Sequence, residues 1–119
     1  MSRIWDNRNV KSAHFHPKAK LELQEFPEEV RRELGKAIFD LQKGSKLGMP
    51  LSRSMPSVGI GVEELRVKDR NGIYRVFYYM KYAEAILVFH AFIKKTQATP
   101  HHEIQLGKKR LREMLDEKD

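Results

Sequence analysis

A chain of 119 residues without cysteine has room for one hydrophobic core, but not for a disulfide framework, a thiolate nucleophile or a cysteine-ligated metal. Its 23 Lys and Arg against 16 Asp and Glu leave a formal charge of +7, which favours a polyanion or an acidic protein as partner. No apolar run approaches the roughly 18 residues of a membrane span, and the opening Met-Ser-Arg-Ile-Trp-Asp lacks a signal peptide's apolar stretch. The expectation is therefore a single domain, 1–119, in a reducing cytoplasmic setting.

Ile4-Trp5 is compatible with a short edge strand, with Trp5 as a packing residue, but Asp6-Asn7-Arg8-Asn9 turns polar at once. From Lys18 the apolar period becomes helical, with Ala19, Leu23 and Phe26 on one stripe. Pro27 then opens a second helix, with Glu28 and Glu29 placed against its dipole. Val30, Leu34, Ile38 and Leu41 continue the stripe, and Gly44 stops it. Two short helices alone are marginal, so this hairpin is expected to cover a sheet. Residues 44–61, rich in Gly, Pro and Ser, read as a connecting loop with a short extended piece near Leu51–Ser54, and they contribute Lys46 and Arg53.

Asn71-Gly72 between alternating segments predicts a tight β-hairpin. Pairing Arg70 with Ile73 sets Lys68 opposite Arg75, Val67 opposite Val76, Arg66 opposite Phe77 and Leu65 opposite Tyr78. Side chains alternate, so Leu65, Val67, Val76 and Tyr78 share the core face, while Glu64, Arg66, Lys68, Arg75, Phe77 and Tyr79 share the other. Cations directly opposite one another repel. The second face is thus either prepared for an anion or a solvated surface whose charges fall by chance.

Ala85–Ile93 is almost continuously apolar and reads as a central strand covered on both faces, ending in Lys94-Lys95-Thr96. His90 within it is a packing residue or, if its ring reaches the basic face, a proton-transfer group. Thr99 is placed to cap a last helix opened by Pro100, with Glu103 in its first turn and Ile104, Leu111 and Leu115 facing inward. Lys108, Lys109, Arg110 and Arg112 form its outer side: a solvated face, an RNA contact or a dock for an acidic partner.

The chain has no glycine-rich dinucleotide loop, no phosphate loop and no Gly-x-Ser-x-Gly elbow. His14-x-His16 and His101-His102 lack the third ligand of a metal site, and the acids lie scattered along helices, so neither a metal nor another cofactor is expected. What remains is a set of Arg, Lys and aromatic side chains, with His90 beside them.

Four blocks in fixed order, Glu64-Leu65-Arg66-Val67-Lys68, Tyr74-Arg75-Val76-Phe77-Tyr78, His90 through Pro100, and Glu103-Ile104, resemble the HigB-like, phage-derived branch of the RelE/ParE toxin superfamily. The resemblance extends upstream through Phe26-Pro27-Glu28-Glu29-Val30-Arg31 and Leu41-Gln42-Lys43-Gly44, leaving only about the first dozen residues outside it. It implies an α+β domain: a small antiparallel sheet of four or five strands packed by an N-terminal helical hairpin, with a C-terminal helix.

It also implies the toxin of a type II toxin-antitoxin pair, silenced by a helix-turn-helix antitoxin. Most HigB-like members cleave mRNA in the ribosomal A site, whereas ParE-type relatives poison DNA gyrase. The matching positions are Arg66, Lys68, Arg75, Lys94, Lys95 and, more loosely, His90. RelE-type enzymes also use a tyrosine near the C-terminus, and this chain has none after Tyr82, which leaves the general acid and base open.

Metal-free RNA cleavage needs charge stabilisation at the nonbridging oxygens, a proton acceptor at the 2′-oxygen and a donor at the 5′-oxygen. Arg66 and Arg75 suit the first task, because a guanidinium holds two oxygens at any relevant pH. Lys94, Lys95 and His90 are the candidates for proton transfer. Phe77 and Tyr79 either stack on a base or pack against the final helix. The competing functions are a ribosome-dependent mRNA endoribonuclease that inhibits translation, a non-catalytic toxin binding a protein such as gyrase, and a phage nucleic-acid-binding module.

Overall fold

In the computed structural model, which describes residues 10–118, strand β1 (Ser12–Phe15) leads into helices α1 (Pro17–Gln24) and α2 (Glu28–Gln42). The expected strand at Ile4-Trp5 lies outside the described residues. There follow β2 (Ser52–Ser54), β3 (Val62–Asp69), β4 (Gly72–Tyr79), β5 (Ala85–Lys94) and α3 (His101–Lys118). The five strands lie in the order β1-β5-β4-β3-β2.

The helical hairpin forms where the apolar stripe placed it. His16 occupies the N-cap of α1, its Nδ1 accepting the Lys18 N–H at 3.1 Å, with Pro17 in the first turn. Pro27 caps α2 rather than opening it, and Gly44 follows the C-cap at φ +100°, a conformation that favours glycine. Val30, Leu34, Ile38 and Leu41 are buried against Leu65, Val67, Val76 and Tyr78. Each such side chain, fully buried, stabilises by about 1.5–3 kcal/mol.

The sheet is mixed rather than antiparallel, because β1 runs parallel to β5, pairing Phe15 with Val88. Ser-Ala-His-Phe is too short and too evenly half-exposed to show a strand period, so nothing in the residues signals this edge.

The β3–β4 register is displaced by two residues from the expected one. Asp69 pairs with Gly72, so Arg70-Asn71 form the turn. Asp69 Oδ1 accepts the Asn71 N–H at 2.7 Å, and that local bond fixes the bend one residue earlier. Gly72, at φ +149°, lies where an added Cβ would come within 3.0 Å of the Lys94 carbonyl oxygen, so glycine serves the close approach of β5. A displacement by two leaves every side chain on its expected face.

The second face is covered by α3. Phe77, Leu87, Phe89 and Phe92 pack with Leu111 and Met114. Arg110, expected outside, turns inward and is 5% exposed, while Ile104 and Leu115 lie half-buried at the margin.

Candidate functional site

Three rows of paired residues cross the α3-side face. Arg53, Glu64, Phe77 and His90 make one row; Arg66, Arg75 and Phe92 the next; Lys68, Ile73 and Lys94 the last. Phe77, His90 and Phe92 lie under α3, whereas the basic residues gather toward the hairpin end.

Glu64 sits fully buried among the arginines. Its Oε1 accepts from Arg53 Nε at 3.0 Å and lies 3.5 Å from Arg66 Nε. Its Oε2 accepts the Thr99 hydroxyl at 3.1 Å, and Thr99 Oγ1 in turn accepts from Arg53 Nη2 at 3.1 Å and Arg75 Nη1 at 3.0 Å. Arg75 Nη2 also donates to the Thr96 carbonyl, and Arg66 Nη2 donates to Gln97 Oε1 at 3.0 Å. The segment between β5 and α3 is thereby tied down over the guanidinium groups.

Arg53 and Arg66 thus meet one carboxylate directly and Arg75 reaches it through Thr99, while Arg66 Nε and Arg75 Nε are buried without hydrogen-bond partners. Burial lowers the Arg75 pKa, the neighbouring Arg66 and Arg53 charges lower it further, and Glu64 opposes the shift. The cluster carries surplus positive charge in a place where charge is expensive to hold.

The expected site residues separate into two groups. Arg66 is partly exposed, Lys94 half-buried, and Lys68 and Lys95 exposed. Lys68, Arg70, Lys95 and Gln97 line a hollow of about 280 Å³ beside the turn. Arg75 belongs to this end of the sheet but is wholly interior.

His90 is taken out of reach of that surface. It is 1% exposed, with Nε2 2.6 Å from Glu103 Oε1 and Nδ1 2.9 Å from Arg110 Nη1. Arg110 also donates to Glu22 at 2.7 and 3.0 Å, joining α1, β5 and α3. Burial works against the Glu22 charge, but hydrogen bonds from His90, Arg110 and the Ala91 N–H outweigh it and hold the carboxyl at about 2. The imidazole is a packing and bridging group here.

Phe77 and Tyr79 take the packing alternative. Phe77 is fully buried against α3 at Gly107, where an added Cβ would lie 2.7 Å from its Cδ2. Tyr79, half-buried, borders the same cluster. Thr99, expected as a helix cap, spends its hydroxyl on the arginines instead, and Pro100 O accepts the Glu103 N–H at 3.1 Å.

Sequence reasoning missed Glu64, Thr99 and Gln97 and counted Arg53 only as charge. The one available signal was Glu64 two residues before Arg66, which puts both on the same strand face. Among the described residues, no three His, Asp or Glu side chains come together in a way that could hold a metal ion, and no helix is long and apolar enough to cross a membrane.

The five-strand mixed sheet with helices on both faces is similar to the fold of RelE. The chain matches the free-state structure of an arginine double mutant of the E. coli toxin RelE with a TM-score of 0.50, covering 88% of this chain and 98% of that one at 16% identity. That level of identity establishes the shared fold. Family membership follows from the sequence itself: residues 21–112 match the family described as phage derived protein Gp49-like (DUF891), and the chain belongs to it. Comparison with curated proteins found no match.

Proposed function

We propose that this chain is the toxin of a type II toxin-antitoxin pair and acts as a metal-independent, ribosome-dependent mRNA endoribonuclease of the HigB-like kind. The reading is supported by the Gp49-like family, by the fold shared with a toxin, and above all by one observation: three guanidinium groups around a single carboxylate, continued at the open end of the sheet by Lys68, Lys94 and Lys95.

The reaction proceeds by attack of the 2′-oxygen on its own 3′-phosphorus, the 2′-hydroxyl giving up its proton to solvent water. The bond from phosphorus to the 5′-oxygen breaks, leaving a 2′,3′-cyclic phosphate and a 5′-hydroxyl. Negative charge builds on the nonbridging oxygens, so Arg66 and Lys68 hold them, and the buried Arg75 adds positive potential from behind. An ammonium group of Lys94 or Lys95 gives a proton to the departing 5′-oxygen. Arg75 also orders the Thr96–Thr99 segment over the cluster.

In this reading the partners are mRNA in the ribosomal A site and a helix-turn-helix antitoxin, and the setting is cytoplasmic. Expression of the full chain is expected to arrest growth with cut mRNA, and a small helix-turn-helix protein from the adjacent reading frame is expected to relieve it. Growth arrest with intact mRNA and broken DNA would instead favour a gyrase poison.

A further inference from the structure

β2 pairs only with Glu63–Leu65, so β3 from Val67 onward forms the margin of the sheet. Beside it lies a groove of about 540 Å³, the largest of the hollows described, and within the roughly 300–1,000 Å³ usual for small-molecule sites. Met49, Pro50, Leu51, Val67 and Ile73 are its apolar lining. Arg66 and Lys68 form its cationic wall, shared with the proposed phosphate site, and Glu33 is the one carboxylate among the residues lining it.

Strand alternation supplies a further polar element. The Arg66 N–H points to the margin, where it donates to Leu51 O at 2.7 Å. Lys68, two residues on, therefore turns its own N–H and C=O the same way, into the groove. Apolar side chains for a ring, cationic groups for a phosphate, and a backbone donor and acceptor at the same margin match a nucleotide with its base unstacked.

We infer that this groove seats one base of the single-stranded RNA beside the phosphate held by Arg66 and Lys68, and that Glu33 selects a base bearing an exocyclic amino group. The inference rests on the nuclease reading for its ligand. Adenine, guanine and cytosine each offer an exocyclic amino donor to a carboxylate; uracil has none, and its single N3–H lies between two carbonyl oxygens that repel a carboxylate.

Cytidine and uridine monophosphates differ only in the 4-substituent and the N3 proton beside it, which makes them the probes. Titrated into the isotopically labelled full chain and followed by NMR, CMP is expected to shift the Leu51, Lys68 and Gln97 amides and to bind roughly five-fold more tightly than UMP, the ratio one net hydrogen bond gives. Glu33→Gln, whose amide donates as well as accepts, brings that ratio close to one. Lys68→Ala weakens both alike. The trinucleotide UpCpU binds more tightly than CMP if the site serves an RNA strand.

Equal binding of CMP and UMP to the wild type, shifts confined elsewhere, no binding, or tighter binding of CMP than of UpCpU would each overturn the inference. Mapping of mRNA ends in translating cells separates this from the parent reading. Cleavage without amino-base preference refutes the base seat alone, and a preference for CMP without any cleavage refutes the nuclease alone.

Discussion

Arg66 and Arg75 stand directly opposite each other on neighbouring antiparallel strands, and both lie beside the buried Glu64. Like charges so placed destabilise a sheet unless an anion offsets them. Glu64 supplies one negative charge for three guanidinium groups, which holds the fold together and leaves the cluster still cationic.

Arg75 spans Thr96 and Thr99 with two different nitrogens, so its planar fork matters as well as its charge. Arg75→Ala is expected to cost about 3 kcal/mol and Arg75→Lys about 2 kcal/mol in urea unfolding. Loss of activity in either variant has to be compared with the fraction folded. Stability equal to wild type in Arg75→Ala would contradict the structural role.

Glu64→Gln leaves three cations without their carboxylate and is expected to destabilise by about 2–3 kcal/mol. Sulfate, by occupying the arginines, should then raise the melting temperature of the variant more than that of the wild type. An equal response in both proteins would show that the cluster takes no anion.

At Gly107 two effects oppose each other. Alanine gains about 1 kcal/mol of helix propensity, but its Cβ would press to 2.7 and 2.9 Å on the fully buried Phe77 ring. Overpacking of that kind costs about 1–3 kcal/mol. Gly107→Ala is therefore expected to lower stability by about 1 kcal/mol in chemical unfolding, despite lying in a helix.

Glu22 titrates at about 2 in the folded chain, against 4.5 for the free side chain. A lowered carboxyl stabilises the fold above its unfolded pKa, and that contribution is lost as pH falls from about 4.5 toward about 2. With its partial exposure discounted, about 1–2 kcal/mol should disappear over this window. Glu22→Gln should flatten the acid limb of an unfolding-midpoint-against-pH curve.

Much of this was legible in the residues. The helical hairpin follows from the Val30–Leu41 stripe, and the two sheet faces from strict alternation in Leu65–Lys68 and Tyr74–Tyr78. The hairpin register was not, because the Asn71 N–H bond to Asp69 selects a turn one residue earlier than the Asn-Gly pair signals. β1 was invisible because four residues, two half-buried and two exposed, carry no period. His90 and Arg110 look chemically active in a sequence, and only the packing of α1, β5 and α3 shows that they bind each other. Thr99 shows the converse: a residue with an ordinary local use as a cap has its hydroxyl drawn away by two distant arginines.

In the proposed function the cations at the open end of the sheet hold and cut a phosphodiester. The direct measurement is the mapping of RNA 5′ ends in translating cells that express the wild type or the Lys68→Ala/Lys94→Ala double variant, both verified as folded by circular dichroism. New ends within translated mRNAs in the wild type, reduced at least ten-fold in the variant, are the predicted result. Undiminished cutting by the folded variant, or growth arrest by the wild type with no new ends, would contradict it.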